Sequence, residues 1–209
     1  MDYEKAPMEI ENQSFTIIAD EMKRSFDRAT DLIIRRIIHA TGDFEYEDIT
    51  EFYNDAVARG LKAMEAGPVI YTDTRMALVG INKRVLSRLG GRIVCLVDDP
   101  SVAEEAQRRK VTRSIVGMER ACADQETSVF VIGNAPTALL TLETQVRKDN
   151  VRPDLVIGVP VGFVSAAESK ESFCDCGVPY ITTRGRKGGT TVAVATINAL
   201  LYMIDNKRQ

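Results

Sequence analysis

The 209-residue sequence contains no tryptophan and a single histidine, His39. No stretch approaches the ~18 uninterrupted apolar residues that a membrane-spanning helix needs. The N-terminus also lacks the basic start and apolar run of a signal peptide. Four cysteines without a secretory signal predict free thiols. We therefore expect a cytoplasmic protein with no membrane partner.

Three kinds of site lack support in the sequence. A formal net charge of −3 argues against nucleic acid as the main partner. The segment "CDC" at 174–176 could chelate a metal, but no second Cys/His pair stands at a zinc-like spacing. The glycine-rich motifs of nucleotide-binding loops are also absent. We expect neither a metal nor a nucleotide cofactor.

Hydrophobic residues make up 44% of the chain, which is enough for a sizeable core, and no linker interrupts it. We predict a single α/β domain over residues 1–209. The first third has helical periodicity. Short apolar runs at 69–72, 92–97, 128–133, 154–160 and 179–183 then alternate with helical segments at 74–89, 101–124, 136–148, 165–173 and 190–205. This rhythm predicts a flavodoxin-like, three-layer α/β/α fold with a mainly parallel sheet of about five strands and an N-terminal helical segment.

Small polar residues and glycines follow several predicted strands. Asp73 is placed to cap the helix after the first strand, and "GNAP" at 133–136 begins a helix whose N–H groups favour an anion. Arg184, Arg186 and Lys187 share a glycine-rich loop after the last strand. Each loop alone is an ordinary turn and helix cap. Because ligands bind beyond the carboxyl ends of parallel strands, together they indicate an anionic small-molecule ligand.

His39 lies in the apolar stretch "IIRRIIHATGD" at 33–43. On a helix, Arg35 and Arg36 precede it by four and three residues and share its face. An imidazole can exchange a proton near neutral pH, which suits a catalyst. It can equally be a helix-end residue that only hydrogen-bonds a neighbour. Residue chemistry alone leaves both interpretations open, and Ser14 is as easily a surface hydroxyl as a ligand.

Seven long motifs, in order, resemble the precorrin-8X methylmutase family of cobalamin biosynthesis. The resemblance runs from about residue 8 to 205. The motifs are "NQSFTII" (12–18), "RRIIHATGDF" (35–44), "IYTDTRMALVGINKR" (70–84), "TRS" (112–114), "GNAPTAL" (133–139), "GVPVGFVSAAESK" (158–170) and "GRKGGTTVA" (185–193). Two of them, "YTDTRMALVGINKR" and "GRKGG", look more like the branch that accepts cobalt-precorrin-8. Ser165 departs from the family, since relatives commonly have glycine there.

The resemblance implies an isomerase that moves the ring C methyl group of a corrin precursor from carbon 11 to carbon 12. It needs no redox cofactor and no added metal. The family's catalytic histidine falls on His39, as proton donor and acceptor, and its substrate-binding serine and arginine fall on Ser14 and Arg36. Arg113, Asn134 and Lys187 are further candidates for contacts with the substrate's carboxylates. The resemblance also implies a homodimer with active sites at the subunit interface.

Two other functions fit parts of this pattern. A non-catalytic corrinoid-binding or carrier protein could use the same pocket, but it would not need a proton-transfer group at His39. An unrelated phosphate-binding α/β enzyme would use the loops at the strand ends. The absence of nucleotide motifs counts against the phosphate-binding enzyme.

Overall fold

The computed structural model of the protein describes residues 6–205. These residues form eleven α-helices, one short 3-10 helix and six strands. The helices are α1 (Pro7–Glu21), α2 (Arg28–Thr41), α3 (Tyr46–Ile49), α4 (Ala56–Glu65), α5 (Arg75–Gly80), α6 (Lys83–Arg88), α7 (Pro100–Arg109), α8 (Arg113–Ala123), α9 (Pro136–Arg147), α10 (Ala166–Phe173) and α11 (Thr190–Asp205), with the 3-10 helix at Cys174–Cys176. The strands are β1 (Thr50–Tyr53), β2 (Val69–Thr72), β3 (Arg92–Val94), β4 (Thr127–Ile132), β5 (Leu155–Gly158) and β6 (Tyr180–Thr183). In this part of the chain no helix has the length and apolar character needed to span a bilayer.

The six strands form one sheet in the order β1-β6-β5-β4-β2-β3. Strands β2 to β6 are parallel, and only β1 runs antiparallel, beside β6. The five parallel strands have the flavodoxin-like order, in which the direction of the crossovers reverses between β2 and β4. The predicted fold class is confirmed.

Side chains of the central strands alternate between two apolar layers, as the pleat of a strand requires. On β4, Val129 and Val131 face the cluster formed with α2, α4 and α11, whereas Phe130 and Ile132 face the cluster formed with α8 and α9. Helices therefore cover both faces of the sheet. This double cover explains why the central strands read as continuous apolar runs.

The first strand was not predicted. Residues 50–53, "TEFY", lie within the third of the chain that has helical periodicity, but they pair with β6 in the register Thr50↔Thr183 to Tyr53↔Tyr180. A run of four residues is too short to show a period. Its β-branched and aromatic residues were the available signal.

Two predicted helices are each divided in two. The segment 74–89 breaks at Asn82, whose side chain accepts a hydrogen bond from the Val85 N–H and so begins α6. The segment 101–124 breaks at Lys110, which adopts φ 56°, and restarts at Thr112, whose hydroxyl accepts from the Ile115 N–H. Capping side chains within an apolar pattern end one helix and begin the next.

Candidate active site

Helix α2 fixes the position of His39. Asp27 caps its start by accepting hydrogen bonds from the N–H groups of Ala29 and Thr30, and Gly42 ends it in the left-handed conformation at φ 66°. Four isoleucines on one side, Ile33, Ile34, Ile37 and Ile38, are almost completely buried against the core. His39, the next residue, is exposed on the other side. The helix is anchored by its apolar face and presents the imidazole to solvent.

The imidazole opens onto a cavity of about 360 Å³, which we call the His39 cavity. Helices α2, α5 and α11 form its walls. Its lining residues are Arg36, His39, Ala40, Met76, Gly80, Thr190, Thr191, Val194, Ala195, Asn198 and Tyr202. The cavity combines apolar wall with hydroxyl and amide groups, one guanidinium and one imidazole. This inventory suits a largely apolar ligand that carries polar or anionic substituents.

The Arg36 guanidinium contacts two aromatic rings beside the imidazole. Its guanidinium carbon is 5.0 Å from the ring centroid of Phe15 and 4.8 Å from that of Tyr202. The Phe15 ring also stacks on His39, with centroids 5.0 Å apart and an interplanar angle of 19°. One ion pair, at 3.1 Å, joins Arg36 to Glu11. The predicted common face of Arg36 and His39 is therefore present.

Two nearby residues are placed differently from the expectation. Arg35 does not join the cavity lining, because its guanidinium pairs with Asp31 one turn earlier, at 2.7 Å. Ser14 is half-buried on α1, and its hydroxyl donates a hydrogen bond to the carbonyl of Ile10 at 2.8 Å. The next residue in the chain, Phe15, stacks on the imidazole of His39. Ser14 is thus next to the imidazole region but has an intrahelical partner.

Asp73 has a structural role that sequence reasoning missed. It does not cap α5; Thr74 does, by accepting from the Ala77 N–H. The Asp73 carboxylate instead accepts three hydrogen bonds, from the N–H groups of Gly133, Asn134 and Ala135, at 3.0, 2.8 and 2.8 Å. Burial raises the pKa of this carboxyl, and the three N–H groups oppose that rise. The anion predicted for the "GNAP" turn is therefore the protein's own side chain.

The basic loop after β6 is also largely paired within the chain. Lys187 forms ion pairs with Asp43 and, at 2.7 Å, with Glu45, and these hydrogen bonds raise the pKa of its ammonium. Arg184 pairs with Glu51 at 3.1 Å. Arg186 lies over the ring of Phe163, at 5.4 Å. The predicted cationic cluster is present, but two of its three charges already have carboxylate partners.

A buried lysine, Lys170, donates hydrogen bonds to the same loop. Lys170 is 2% exposed, and its ammonium donates to the Lys187 carbonyl at 2.7 Å and to the Thr183 hydroxyl at 3.2 Å. Burial lowers its pKa to about 8. Beyond this loop, Gly188 adopts φ 155°, and a Cβ there would lie 2.3 Å from the Val159 carbonyl oxygen. These contacts fix the path of the loop as it leads into α11.

Asn134 and Arg113 lie along the carboxyl edge of the sheet. Gly133 packs so closely on Thr190, a residue of the His39 cavity, that a Cβ on the glycine would be 2.6 Å from the Thr190 Cα. The exposed side chain of Asn134 follows directly. Arg113, also exposed, is next to Thr112, whose hydroxyl is 3.3 Å from that of Thr137 on α9. Neither residue lines the cavity, and both lie on the edge that adjoins it.

Several residues of the His39 cavity, and Phe15 beside it, were not singled out from the sequence. Phe15 and Met76 lie within quoted motifs, but apolar residues at helical spacing usually indicate core packing. Tyr202, Asn198 and Thr191 belong to α11, which reads as a buried helix. The available signal was the few polar residues within that apolar helix. The cysteines of "CDC" lie elsewhere, at the end of α10, where the Cys174 thiol donates to the Lys170 carbonyl.

Comparison with known proteins gives a consistent result. The family model "Precorrin-8X methylmutase" matches residues 9–203. A cobalt-precorrin-8 methylmutase from Salmonella typhimurium is 46% identical over 97% of this chain and 98% of its own length, and one from Priestia megaterium is 43% identical over 96% and 89%. The crystal structure of a precorrin-8x methyl mutase from Thermus thermophilus superposes with a TM-score of 0.88, at 38% identity, over 96% of this chain and 97% of the other.

Proposed function

Because the chain belongs to the precorrin-8X methylmutase family, we propose that it moves the ring C methyl group of a corrin precursor from carbon 11 to carbon 12. Family membership establishes the coarser activity, which is that of an isomerase in corrin biosynthesis. The observation that supports the proposal most directly is the exposed imidazole of His39, which opens into a partly apolar cavity beside a guanidinium.

His39 is the proposed proton donor and acceptor. In its protonated form it gives a proton to the ring C nitrogen, which draws electron density through the conjugated system. The bond from carbon 11 to the methyl group then breaks as the bond from carbon 12 forms, in a 1,5-sigmatropic shift. The nitrogen returns the proton to the imidazole, so no net proton or electron is consumed. A single exposed imidazole is sufficient for this sequence.

The proposed contacts with the substrate divide into two groups. Arg36 and Ser14, near the imidazole, bind the part of the macrocycle that enters the His39 cavity. Arg113, Asn134 and Lys187, along the adjoining sheet edge, bind acetate and propionate carboxylates at the rim. Lys187 must exchange Asp43 and Glu45 for a substrate carboxylate to do so. Among residues 6–205, Arg36 has one carboxylate to release, that of Glu11.

We infer that the natural substrate contains cobalt. The relatives from Salmonella typhimurium and Priestia megaterium are named for cobalt-precorrin-8, whereas the structure from Thermus thermophilus is named for precorrin-8x. Turnover of the metal-free and cobalt-containing substrates, measured side by side, tests this inference. A ring nitrogen whose lone pair coordinates cobalt cannot also accept a proton, so the proton step described above requires a ring C nitrogen that cobalt leaves free. The size of the His39→Ala effect on each substrate therefore indicates where the proton goes.

We also propose a cytoplasmic homodimer whose second subunit closes the active site. Phe163 and Val164 are 84% and 82% exposed, and Met76, in the cavity wall, is 59% exposed. Apolar side chains with this exposure are typical of subunit interfaces. Light scattering of the protein tests the proposal. A dimer that becomes monomeric in Phe163→Ser supports it, and a monomeric wild type contradicts it.

The central experiment compares wild type with His39→Ala and His39→Gln. We expect turnover of precorrin-8 to fall at least about 100-fold in both variants, the usual contribution of a general acid–base group. Both should still bind the tetrapyrrole, as measured by its visible absorption. Near-normal turnover in either variant would remove His39 from the mechanism. A wild type that binds the macrocycle but never converts it would favour the carrier function.

A further inference from the structure

We propose that Phe15 and Tyr202 are positioning residues, which hold the Arg36 guanidinium between their rings and, through Phe15, fix the imidazole of His39. We call these two rings the aromatic clamp. The inference rests on the proposed function for its meaning in catalysis. The clamp itself is a feature of the free protein and can be tested without substrate.

The contacts that define the clamp come from three helices. Phe15 belongs to α1, Arg36 and His39 to α2, and Tyr202 to α11. The two cation–ring distances, 5.0 and 4.8 Å, fall within the range in which a ring attracts a guanidinium. Contact with two rings at once restricts the orientation of the guanidinium more than one ring would. Its edge, which carries the N–H donors, remains directed to Glu11 at 3.1 Å.

Tyr202 is itself held by the wall of the cavity. Its hydroxyl accepts a hydrogen bond from the side-chain amide of Asn82 at 3.2 Å. The Asn82 N–H donates to the side chain of Asn198 at 2.9 Å, and Asn198 donates to the Gly80 carbonyl at 3.0 Å. Gly80 and Asn198 line the His39 cavity. The ring that faces Arg36 is thus tied to the loop between α5 and α6.

In a site for a macrocycle that carries carboxylates, the aromatic clamp would strengthen binding by ordering Arg36 in advance. A flexible arginine loses rotamer freedom when it binds a carboxylate, and that loss weakens binding. A guanidinium already fixed between two rings loses less. Phe15 has a second effect, because its stack on His39 keeps the imidazole plane at one angle to the cavity. Tyr202 should therefore govern binding, whereas Phe15 should govern both binding and turnover.

The first test uses the free protein. In wild type, the Nε–Hε resonance of Arg36 should be shifted by the two ring currents and exchange slowly with water. We expect Tyr202→Leu to move this resonance toward the values of an exposed arginine, and Tyr202→Phe to leave it nearly unchanged because the ring remains. An unchanged Arg36 resonance in Tyr202→Leu would overturn the clamp, whatever the enzyme's activity.

The second test uses kinetics with precorrin-8. We expect Tyr202→Leu to raise KM about five-fold, the effect of removing one ring from a partly desolvated cation, with little change in kcat. Phe15→Leu should raise KM and also lower kcat. Phe26→Leu is the matched control, because Arg24 lies over the Phe26 ring at 5.2 Å but neither residue lines the His39 cavity. Its KM and kcat should be those of wild type.

A double-mutant cycle separates positioning from mere packing. In the Arg36→Ala background, Tyr202→Leu should have no further effect on KM, because its effect in wild type passes through the guanidinium. Additive effects would overturn the positioning role. The proposed function fails independently, if His39→Ala retains turnover or wild type has none. In either case the Arg36 resonance still decides whether the clamp exists.

Discussion

Two polar regions lie next to each other in this molecule and treat their charges differently. At the carboxyl edge of the sheet, the protein's own groups satisfy the charges. The Asp73 carboxylate accepts hydrogen bonds from three backbone N–H groups, and the Lys187 ammonium forms ion pairs with two carboxylates. In the His39 cavity, the imidazole is exposed, and within the part of the chain that the structure describes Arg36 has one carboxylate partner. Both regions looked like ligand sites in the sequence.

Charges that stabilise the fold and charges that are available to a ligand differ in what occupies their hydrogen-bonding groups. A charged side chain whose donors or acceptors are filled from inside the chain fixes a loop and must be released before it binds a ligand. A charged side chain held by ring faces keeps its hydrogen-bonding edge for exchange. We therefore expect the charged groups at the sheet edge to contribute mainly to folding stability. We expect those of the His39 cavity to contribute mainly to substrate binding.

The largest expected effect is on stability, at the sheet edge. In Asp73→Asn, the amide presents its own NH₂ to backbone N–H donors, so at least one hydrogen bond of a buried charged group is lost. We expect the free energy of unfolding to fall by about 3 kcal/mol, measured by urea denaturation. Asp99→Asn is the control, since Asp99 caps α7 with two N–H groups at an exposed position where asparagine also caps well. A stable Asp73→Asn protein would show that this carboxylate is not structural.

The second prediction concerns Lys170 and pH. Burial lowers its pKa to about 8 from the ordinary 10.5, so between these values the unfolded state binds more protons than the folded state. The contribution of Lys170 to the free energy of unfolding must then rise as the pH increases from about 8 to 10.5. We expect the rise to be on the order of 2–3 kcal/mol, visible as the difference between wild type and Lys170→Met. Parallel stability curves for the two proteins from pH 8 to 10.5 would contradict the prediction.

A third experiment compares the two regions directly through binding. Arg36→Ala should raise KM about ten-fold, because a charge-assisted hydrogen bond to a carboxylate is lost. Lys187→Ala should raise it only about two-fold, since wild-type Lys187 must first leave two carboxylates to bind the substrate. Raising the salt concentration should weaken binding more in wild type than in Arg36→Ala. If Lys187→Ala raises KM more than Arg36→Ala does, the sheet edge and not the His39 cavity contributes more to substrate binding.

How far the sequence predicts this structure depends on the range of each signal. The five parallel strands follow from local patterns, and the structure agrees. The partners of Asp73 are about sixty residues away along the chain, and those of Lys187 more than one hundred and forty. No local pattern encodes such pairs. Likewise, sequence spacing brings Arg36 and His39 together, but Tyr202 joins them only through tertiary packing of α11.

Ser165 gives the smallest predicted effect and one instructive departure. It adopts φ 59°, a left-handed conformation that favours glycine, the residue that the family resemblance led us to expect there. We expect Ser165→Gly to raise the free energy of unfolding by about 0.5 kcal/mol. Ser172→Gly, in the helical conformation of α10, should instead be destabilising. A loss of stability in Ser165→Gly would show that the serine side chain outweighs the backbone strain.

The aromatic clamp also has a consequence for ligand design. Arg36 and Tyr202 also line a second cavity of about 410 Å³, with Arg28, Ala29, Leu32, Leu61, Ala199 and Met203. The contact between this guanidinium and ring therefore borders both cavities. An inhibitor confined to the His39 cavity leaves the contact intact. One that passes between Arg36 and Tyr202 to reach the second cavity would separate them, and it would then inhibit by disrupting the site as well as by filling it.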